Sequence, residues 1–153
     1  MQLTLYTDYA LRVLLYLALH PEGATIAEIA SRYRVSRNHL VKIAHNLGKL
    51  GLLETKRGRN GGLRLTRSPG QLNLGEIVRL VEPNFHIVEC FDRKRNACSI
   101  APACGMRGAF YEAQQAFLQT LDRYTLADFT PNGDELRKLL RRRAAPPSLA
   151  REA

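Results

Sequence analysis

Apolar side chains recur at helical spacing in three stretches within the first fifty residues. The first stretch, 8–20, follows Thr7, and threonine is a residue type that commonly caps a helix. The second stretch, 26–33, opens with a capping-box pattern that begins at Thr25. The third stretch is 37–50. The pattern therefore predicts three short helices, one after another.

The third predicted helix has two faces of opposite character. Aliphatic side chains occupy one face at helical period, namely Leu40, Ile43, Ala44, Leu47 and Leu50. The other face is polar and basic, with Arg37, Asn38, His39, Lys42, Asn46 and Lys49. Ser36 is expected to cap this helix and Gly51 to end it. One face can pack on the other helices, which leaves the polar face free to bind a partner.

Two short alternating segments, 53–57 and 63–66, flank the glycine-rich sequence 58–62. They predict a β-hairpin around an Asn-Gly turn. Two helices, a tight turn, a helix with a basic face and a basic hairpin are typical, in this order, of a winged helix-turn-helix domain. We therefore predict a mainly α fold in which residues 1–82 form such a domain with the hairpin as its wing. The alternative is a small helical domain in which the hairpin has no role.

The chain beyond residue 82 divides into three further segments. Residues 83–105 lack periodicity and contain every cysteine, so they are predicted to form a loop. Residues 106–130 contain a long helix with one apolar stripe, formed by Phe110, Ala113, Phe117, Leu121 and Tyr124. Because most helix-turn-helix proteins bind DNA as dimers, we expect this stripe to pair with a second copy, although such a stripe can also pack within one chain. Residues 131–153 are expected to form a flexible C-terminal tail, whose basic cluster is either solvated or in nonspecific contact with DNA.

The distribution of charge favours a nucleic-acid partner. The chain has 153 residues and a formal net charge of +9. Residues 30–67 hold ten basic residues and a single acidic one, so this quarter of the chain accounts for the whole excess. A charge that served only solubility would be spread more evenly, whereas a clustered charge is typical of a surface that contacts nucleic acid.

Other classes of protein find little support in the sequence. The longest apolar run, Val13–Leu19, is too short to span a membrane, and the N-terminus lacks a secretory signal pattern. We therefore expect a cytoplasmic protein with no membrane partner. Phosphate-binding loops, metalloprotease motifs and nucleophile elbows are also absent from the sequence, so we do not expect an enzyme.

Two groups of residues are expected to contact double-stranded DNA. Those on the third helix are Ser36, Arg37, Asn38, His39 and Lys42, and those on the wing are Arg57, Arg59 and Asn60. Arginine and asparagine can each make paired hydrogen bonds with a base edge in the major groove, whereas lysine and a capping serine suit phosphates. Arginines on a glycine-rich tip suit a narrow minor groove.

Cys90, Cys98 and Cys104 lie within 15 residues of one another, beside several basic residues. Thiolates so closely spaced indicate metal ligands, and three interpretations remain open. An iron–sulfur cluster would take a fourth ligand from elsewhere, and a zinc site would take a histidine such as His86. A thiol switch would need no metal.

Several segments resemble the Rrf-type winged-helix regulators of bacteria. They are 6–12 (YTDYALR), 36–43 (SRNHLVKI), 57–65 (RGRNGGLRL) and Glu89–Phe91 together with the two later cysteines. The resemblance covers about residues 1–130 and is greatest to the NsrR branch, the nitric-oxide-sensitive repressors. It implies a homodimer that binds a palindromic operator and represses genes for nitric-oxide detoxification.

The resemblance also implies a cofactor. Each subunit would hold one iron–sulfur cluster, of the 2Fe-2S or 4Fe-4S type, on Cys90, Cys98 and Cys104. Asp8 matches an aspartate that supplies the fourth ligand from the partner subunit in some members of the branch.

Three different functions also fit parts of the sequence. The first is that of the IscR branch, which senses an iron–sulfur cluster to control cluster assembly and typically has a histidine three residues after the third cysteine. This chain has Arg107 there, which favours the NsrR branch. The second is a zinc- or thiol-switched DNA-binding regulator. The third, in a different class of protein, is an iron–sulfur electron carrier.

Overall fold

The computed structural model describes residues 2–56 and 62–141, and within those ranges it contains six α-helices and one two-stranded sheet. The elements in chain order are α1 (Leu5–Leu19), α2 (Ile26–Tyr33), α3 (Arg37–Lys49), β1 (Leu53–Lys56), β2 (Gly62–Leu65), α4 (Leu74–Val81), α5 (Gly105–Leu121) and α6 (Gly133–Arg141). This architecture confirms the predicted mainly α fold with a β-hairpin wing. No helix within the described ranges is long and apolar enough to cross a membrane.

A single hydrophobic core joins α1, α2, α3, α4 and the hairpin, and we call this unit the winged-helix body. Helix α1 lies at its centre, since seven of its 15 residues are buried. Helix α3 contributes the predicted apolar face, of which Leu40, Ile43, Ala44 and Leu47 are buried and Leu50 is partly buried. Removing this face from water fixes the rotation of α3 about its axis, which turns the polar face outward.

Helix α1 begins three residues earlier than the sequence pattern predicts. Its cap is Thr4, whose hydroxyl oxygen accepts a hydrogen bond from the Thr7 N–H at 3.3 Å. The expectation that Thr7 caps the helix is wrong because the Thr7 side chain is fully buried inside the first turn. Buried Glu82, at the end of α4, accepts hydrogen bonds from the N–H and the hydroxyl of Thr4 at 3.0 and 3.1 Å. The start of α1 is thus tied to the end of α4.

The turn between α2 and α3 follows from local hydrogen bonds and one unusual backbone conformation. Helix α2 begins as predicted, since the Thr25 hydroxyl accepts a hydrogen bond from the Glu28 N–H at 3.1 Å. The Glu28 carboxylate accepts a hydrogen bond from the hydroxyl of buried Tyr16 at 2.9 Å, which ties α2 to α1. Arg34 ends α2 with a φ of 56°, a left-handed conformation that is uncommon for a residue with a β-carbon. The chain can therefore turn into α3 within three residues.

The hairpin is hydrogen-bonded to Ala24, two residues before the start of α2. Strands β1 and β2 are antiparallel, with Lys56 opposite Gly62 at the end nearest the tip. The Leu63 N–H donates to the Ala24 carbonyl at 2.8 Å, and the Ala24 N–H donates to the Leu63 carbonyl at 3.1 Å. A β-carbon at Gly62 would meet the Ala24 backbone, so glycine permits this close approach. The wing is therefore held in a fixed position relative to α2.

Helices α4 and α5 differ in how much of each is buried. Helix α4 begins after Asn73, whose side-chain oxygen accepts a hydrogen bond from the Glu76 N–H at 3.0 Å, and it joins the core. Helix α5 is the longest helix of the described residues, yet it buries only Gln114 and Leu118.

Helix α6 lies in the segment that we expected to be a flexible tail. Its Arg137 Nη1 donates a hydrogen bond to the carbonyl of Leu19 at 2.8 Å, at the end of α1. Partly buried Leu140 packs against the core. The structure therefore differs from the expectation for residues 133–141, and residues 142–153 lie outside the described residues.

Candidate DNA-binding surface and cysteine loop

The N-terminal half of α3 presents a row of exposed polar side chains. Ser36, Arg37, Asn38, His39 and Lys42 are all exposed, as a surface that contacts DNA requires. Ser36 occupies the predicted cap position, but its side chain makes no capping hydrogen bond. Its hydroxyl can therefore donate to a phosphate without disrupting the helix.

The position of the wing is described on its two strands. Lys56 is exposed at the end of β1, and Arg64 projects from β2 with partial exposure. The predicted contacts Arg57, Arg59 and Asn60 lie outside the described residues. They belong to the stretch of sequence between the paired residues Lys56 and Gly62.

The three cysteines occupy three different local structures between α4 and α5. Cys90 lies in a short 3₁₀ turn, Glu89–Phe91, and Cys98 lies in an exposed loop. Cys104 is the N-cap residue of α5. All three thiols are free, and none of the three residues is fully buried. Each thiol is therefore accessible to a metal or an oxidant.

Hydrogen bonds within the cysteine loop shape the backbone between the first two thiols. The Glu89 carboxylate accepts from the Ala97 N–H at 2.6 Å, which folds the loop back on itself. The Asn96 side chain accepts from the Cys98 N–H at 3.1 Å. These contacts bring the backbone before Cys98 next to the turn that carries Cys90.

Within one chain, the three thiols do not lie close enough together to form a metal site. In the described part of the chain, no three His, Cys, Asp or Glu side chains lie close enough together to hold a metal ion. Cys104, His86 and Arg107 line one cavity of about 590 Å³ beside α5. His86 Nδ1 lies 3.9 Å from a carboxylate oxygen of Asp92. The thiolates of this loop are soft donors that suit iron or zinc. To hold a metal, the loop would have to bring the thiols closer together, or other residues would have to complete the set of ligands.

Asp8 lies on the part-exposed face of α1 and is engaged within its own chain. Arg12 Nε donates to one carboxylate oxygen at 3.0 Å, and Arg12 Nη2 lies 2.7 Å from the other. This hydrogen bond raises the pKa of the Arg12 guanidinium above its usual range. The guanidinium also lies 5.8 Å from the ring centroids of Tyr9 and Tyr33. The Asp8 side chain is 41% exposed, and within the described residues it belongs to no group of three side chains that could hold a metal ion.

The predicted apolar stripe of α5 is not part of the core of its own chain. Phe110 is 40% exposed, and Ala113 is exposed as well. Tyr124, which is 43% exposed, does not belong to the helix, because α5 ends at Leu121. Phe117 and Leu121 are half-buried. Met106 and Tyr111 add to this surface with exposures of 64% and 57%. An apolar surface of this kind on one helix is typical of a protein–protein interface.

Sequence reasoning missed a set of contacts that join the winged-helix body to α5. Arg79 and Asp122 form a bidentate ion pair at 2.5 and 2.8 Å. The Asn73 side chain donates to the Asp122 carbonyl at 2.7 Å. These residues lie more than forty positions apart along the chain, so no local pattern points to their contact.

Comparison with known families and relatives gives a consistent result. A profile of the Rrf2 family, described as an iron-dependent transcriptional regulator, matches residues 3–132. The HTH-type transcriptional regulator NsrR of Shouchella clausii (strain KSM-K16) is 52% identical over 142 residues, which cover 92% of this chain and 95% of the relative. The protein of the same name from Bacillus subtilis (strain 168) is 49% identical over 143 residues, covering 92% of this chain and 98% of the relative.

Solved structures share the same architecture. T. potens IscR matches with a TM-score of 0.71 at 24% identity, covering 90% of this chain and 91% of that chain. CymR of B. subtilis, described as a global cysteine regulator, matches with a TM-score of 0.69 at 25% identity, covering 86% of this chain and 98% of that chain. These likenesses confirm the winged-helix fold.

Proposed function

The chain belongs to the Rrf2 family of transcriptional regulators, and on that premise we propose that it is a repressor that senses nitric oxide through an iron–sulfur cluster. Its relatives are named as DNA-binding transcriptional regulators of the NsrR type rather than as enzymes or electron carriers. The name they share favours the nitric-oxide-sensitive branch over an IscR-like regulator.

The exposed basic half of α3 supports the DNA-binding part of the proposal. A helix placed in the major groove would present Arg37, Asn38 and His39 to base edges, while Lys42 and Ser36 reach phosphates. The wing is held beside α2 by the hydrogen bonds of Ala24. Arg57, Arg59 and Asn60, in the sequence between its two strands, would contact a narrow minor groove of the same half-site.

The observation that carries the sensing part is the position of Cys104 as the N-cap of α5. We infer that Cys90, Cys98 and Cys104 hold the cluster, since three accessible thiols in one short segment are the donor chemistry that iron–sulfur clusters require. When bound, such a cluster supplies iron that reacts with nitric oxide. Because Cys104 is the N-cap residue of α5, a change in its ligation would alter the start of the helix that carries the exposed apolar stripe.

The remaining ligand and the dimer are linked in this proposal. The exposed stripe of α5 supports a homodimer, which a palindromic operator would also require. Asp8 of the partner subunit would complete the ligand set of each cluster. To do so its carboxylate would have to release Arg12, which holds it in the single chain. Ligation would thus connect one subunit's α1 to the other subunit's cysteine loop.

An absorption spectrum of the full-length protein purified without oxygen tests the sensing proposal. We expect a brown protein with a broad visible band that bleaches when nitric oxide is added, together with loss of operator binding. A colourless protein that contains zinc would contradict the proposal and favour a zinc-stabilised regulator. A brown protein whose DNA binding does not respond to nitric oxide would contradict the assignment of the signal.

A further inference from the structure

The end of α5 is joined to the winged-helix body at two distinct places. The first is a pair of backbone hydrogen bonds, in which the Leu74 N–H donates to the Tyr124 carbonyl at 2.9 Å and the Leu126 N–H donates to the Leu72 carbonyl at 3.0 Å. Leu126 is almost fully buried in the core, so this connection is anchored in the body. By itself it holds the chain just after α5 at one point.

The second connection involves Arg79 of α4 together with Asn73, the N-cap residue of α4, and it acts on the residue that follows α5. Arg79 Nη1 donates to Asp122 Oδ1, and Arg79 Nη2 donates to Asp122 Oδ2. Asp122 is the C-cap residue of α5. The Asn73 side chain donates to the carbonyl of Asp122 at 2.7 Å. The ion pair also lowers the pKa of Asp122, because the Arg79 hydrogen bond favours the charged carboxylate. With two connections, the direction of α5 relative to the winged-helix body is restrained, because a planar bidentate pair restrains rotation as well as distance.

Gly75 leaves the room that this ion pair occupies. It is buried in the first turn of α4, where a β-carbon would overlap the carboxylate of Asp122 and crowd the Arg79 guanidinium. The backbone of Gly75 is helical, so its glycine does not serve an unusual backbone conformation. The space it leaves is what lets the end of α5 approach α4 this closely.

The direction of α5 matters because few of its residues are buried in its own chain, where the Gln114 side chain donates a hydrogen bond to the Phe85 carbonyl at 2.6 Å. Only Gln114 and Leu118 are buried along its 17 residues, while Phe110 and Ala113 of the apolar stripe are exposed. A helix of this length is about 25 Å long, so a tilt of about 8° at one end moves the other end by about 3.4 Å. That distance is about the rise of one base pair, since ten base pairs span about 34 Å.

From these contacts we propose that Arg79, Asp122 and Gly75 form a positioning device that sets the separation of the two DNA half-sites that the dimer accepts. The inference rests on the proposed function, because it assumes a dimer that pairs through α5 on a palindromic site. The three residues are positioning residues: they do not touch DNA, and they act by fixing each winged-helix body relative to the paired α5 helices. They therefore control spacing and leave the contacts of each body with its own half-site unchanged.

The experiment uses full-length protein purified without oxygen and a DNA palindrome selected by the wild-type protein from a random duplex library. Duplexes with the half-site separation changed by one or two base pairs, and a duplex with one half-site, complete the set of probes. Dissociation constants are measured for the wild type, Arg79→Met, Asp122→Asn and Gly75→Ala. Arg123→Met is the matched control, because it removes the same charge from an exposed neighbour that makes no ion pair within the described residues.

We expect the wild type and Arg123→Met to prefer the selected separation by about tenfold or more over a change of one base pair, an energy difference of about 1.4 kcal/mol. In the three device variants the preference should fall to about twofold or less, while affinity for the single half-site stays within about twofold of the wild type. Gly75→Ala is the sharpest variant, since alanine favours helix formation and so a purely structural effect would stabilise α4.

Three results would overturn the inference. A device variant that remains dimeric and keeps the wild-type spacing preference would remove its residue from the device. An equal loss of affinity for the single half-site would show damage to the winged-helix body instead of altered positioning. If the wild-type protein selects no palindrome, the proposed function fails and the inference fails with it, which distinguishes that case from the first two.

Discussion

Helices α1 and α5 have similar lengths and opposite relations to the rest of the chain. Seven of the 15 residues of α1 are buried, against two of the 17 residues of α5. Helix α1 is therefore held by the core of its own chain. Helix α5 is held in its middle by the hydrogen bond from the Gln114 side chain to the Phe85 carbonyl. Beyond its last residue it is held by the hydrogen bond of Asn73 and the ion pair of Arg79 with Asp122. The winged-helix body is therefore stabilised by its own core, whereas α5 and the cysteine loop before it leave most of their residues unburied.

The largest expected effect is the complete loss of the cofactor from one substitution in the cysteine loop. Cys98→Ala should abolish the visible absorbance of protein purified without oxygen, because one of three thiolate ligands is lost. Cys98 is exposed, so the free energy of unfolding of the winged-helix body should change by no more than about 0.5 kcal/mol. Ser99→Ala, at the neighbouring exposed residue, is the control. Full cluster occupancy in Cys98→Ala would refute its assignment as a ligand.

A substitution in the core of the winged-helix body should lower its stability, in contrast to the cysteine substitution. Leu14 is fully buried in α1, so Leu14→Ala should lower the free energy of unfolding by about 2–5 kcal/mol, as measured by urea denaturation. Leu80→Ala removes the same atoms from a side chain that is 50% exposed and should cost about 0.5 kcal/mol or less. Equal losses in the two variants would contradict the view that α1 is the centre of the core.

A charge placed in the stripe of α5 should separate dimerisation from folding. Phe110→Asp would bury an unpaired carboxylate in the interface, so the dimer dissociation constant should rise by about tenfold or more. The unfolding transition of the monomer should stay near that of the wild type. Gln119→Asp adds the same charge at another exposed position of α5 and is the control. Sedimentation velocity measures both variants, and an unchanged dimer in Phe110→Asp would exclude the stripe as the interface.

The smallest expected effect concerns a single phosphate contact made by the exposed polar face of α3. Lys42→Met should reduce the slope of log affinity against log salt concentration by about one unit, and it should weaken binding to all DNA sequences by a similar factor. Arg123→Met removes an equal charge from an exposed residue beyond the end of α5 and should leave the slope unchanged. An unaltered slope in Lys42→Met would place this side chain outside the interface.

Local patterns explain why the winged-helix body could be predicted from the sequence. The cap at Thr25, the apolar face of α3 and the stop at Gly51 each depend on residues a few positions apart. The start of α1 was predicted wrongly because the choice of Thr4 over Thr7 depends on Glu82, which is 78 residues away from Thr4. No periodicity or spacing rule carries that information.

The candidate site could be predicted only as a set of residues. Spacing identifies Cys90, Cys98 and Cys104 as a group, but the geometry of an aperiodic loop depends on contacts such as that between Glu89 and Ala97. In the same way, the sequence pattern found the stripe of α5, but nothing in it showed that Arg79 and Asp122 fix the direction of the helix. Long-range contacts between polar side chains leave little trace in a single sequence.

The sparse burial of α5 also has a consequence for the supply of active protein. A newly made chain without a partner would expose Met106, Phe110 and Tyr111, and exposed apolar surface of this kind is what proteases and chaperones engage. Pairing would protect the chain, so turnover of the unpaired chain and assembly of the dimer would compete. By mass action, the amount of dimer at low expression would rise with the square of the chain concentration. A twofold drop in synthesis would then remove about three-quarters of the dimer, which makes control of its target genes steeply dependent on its own expression.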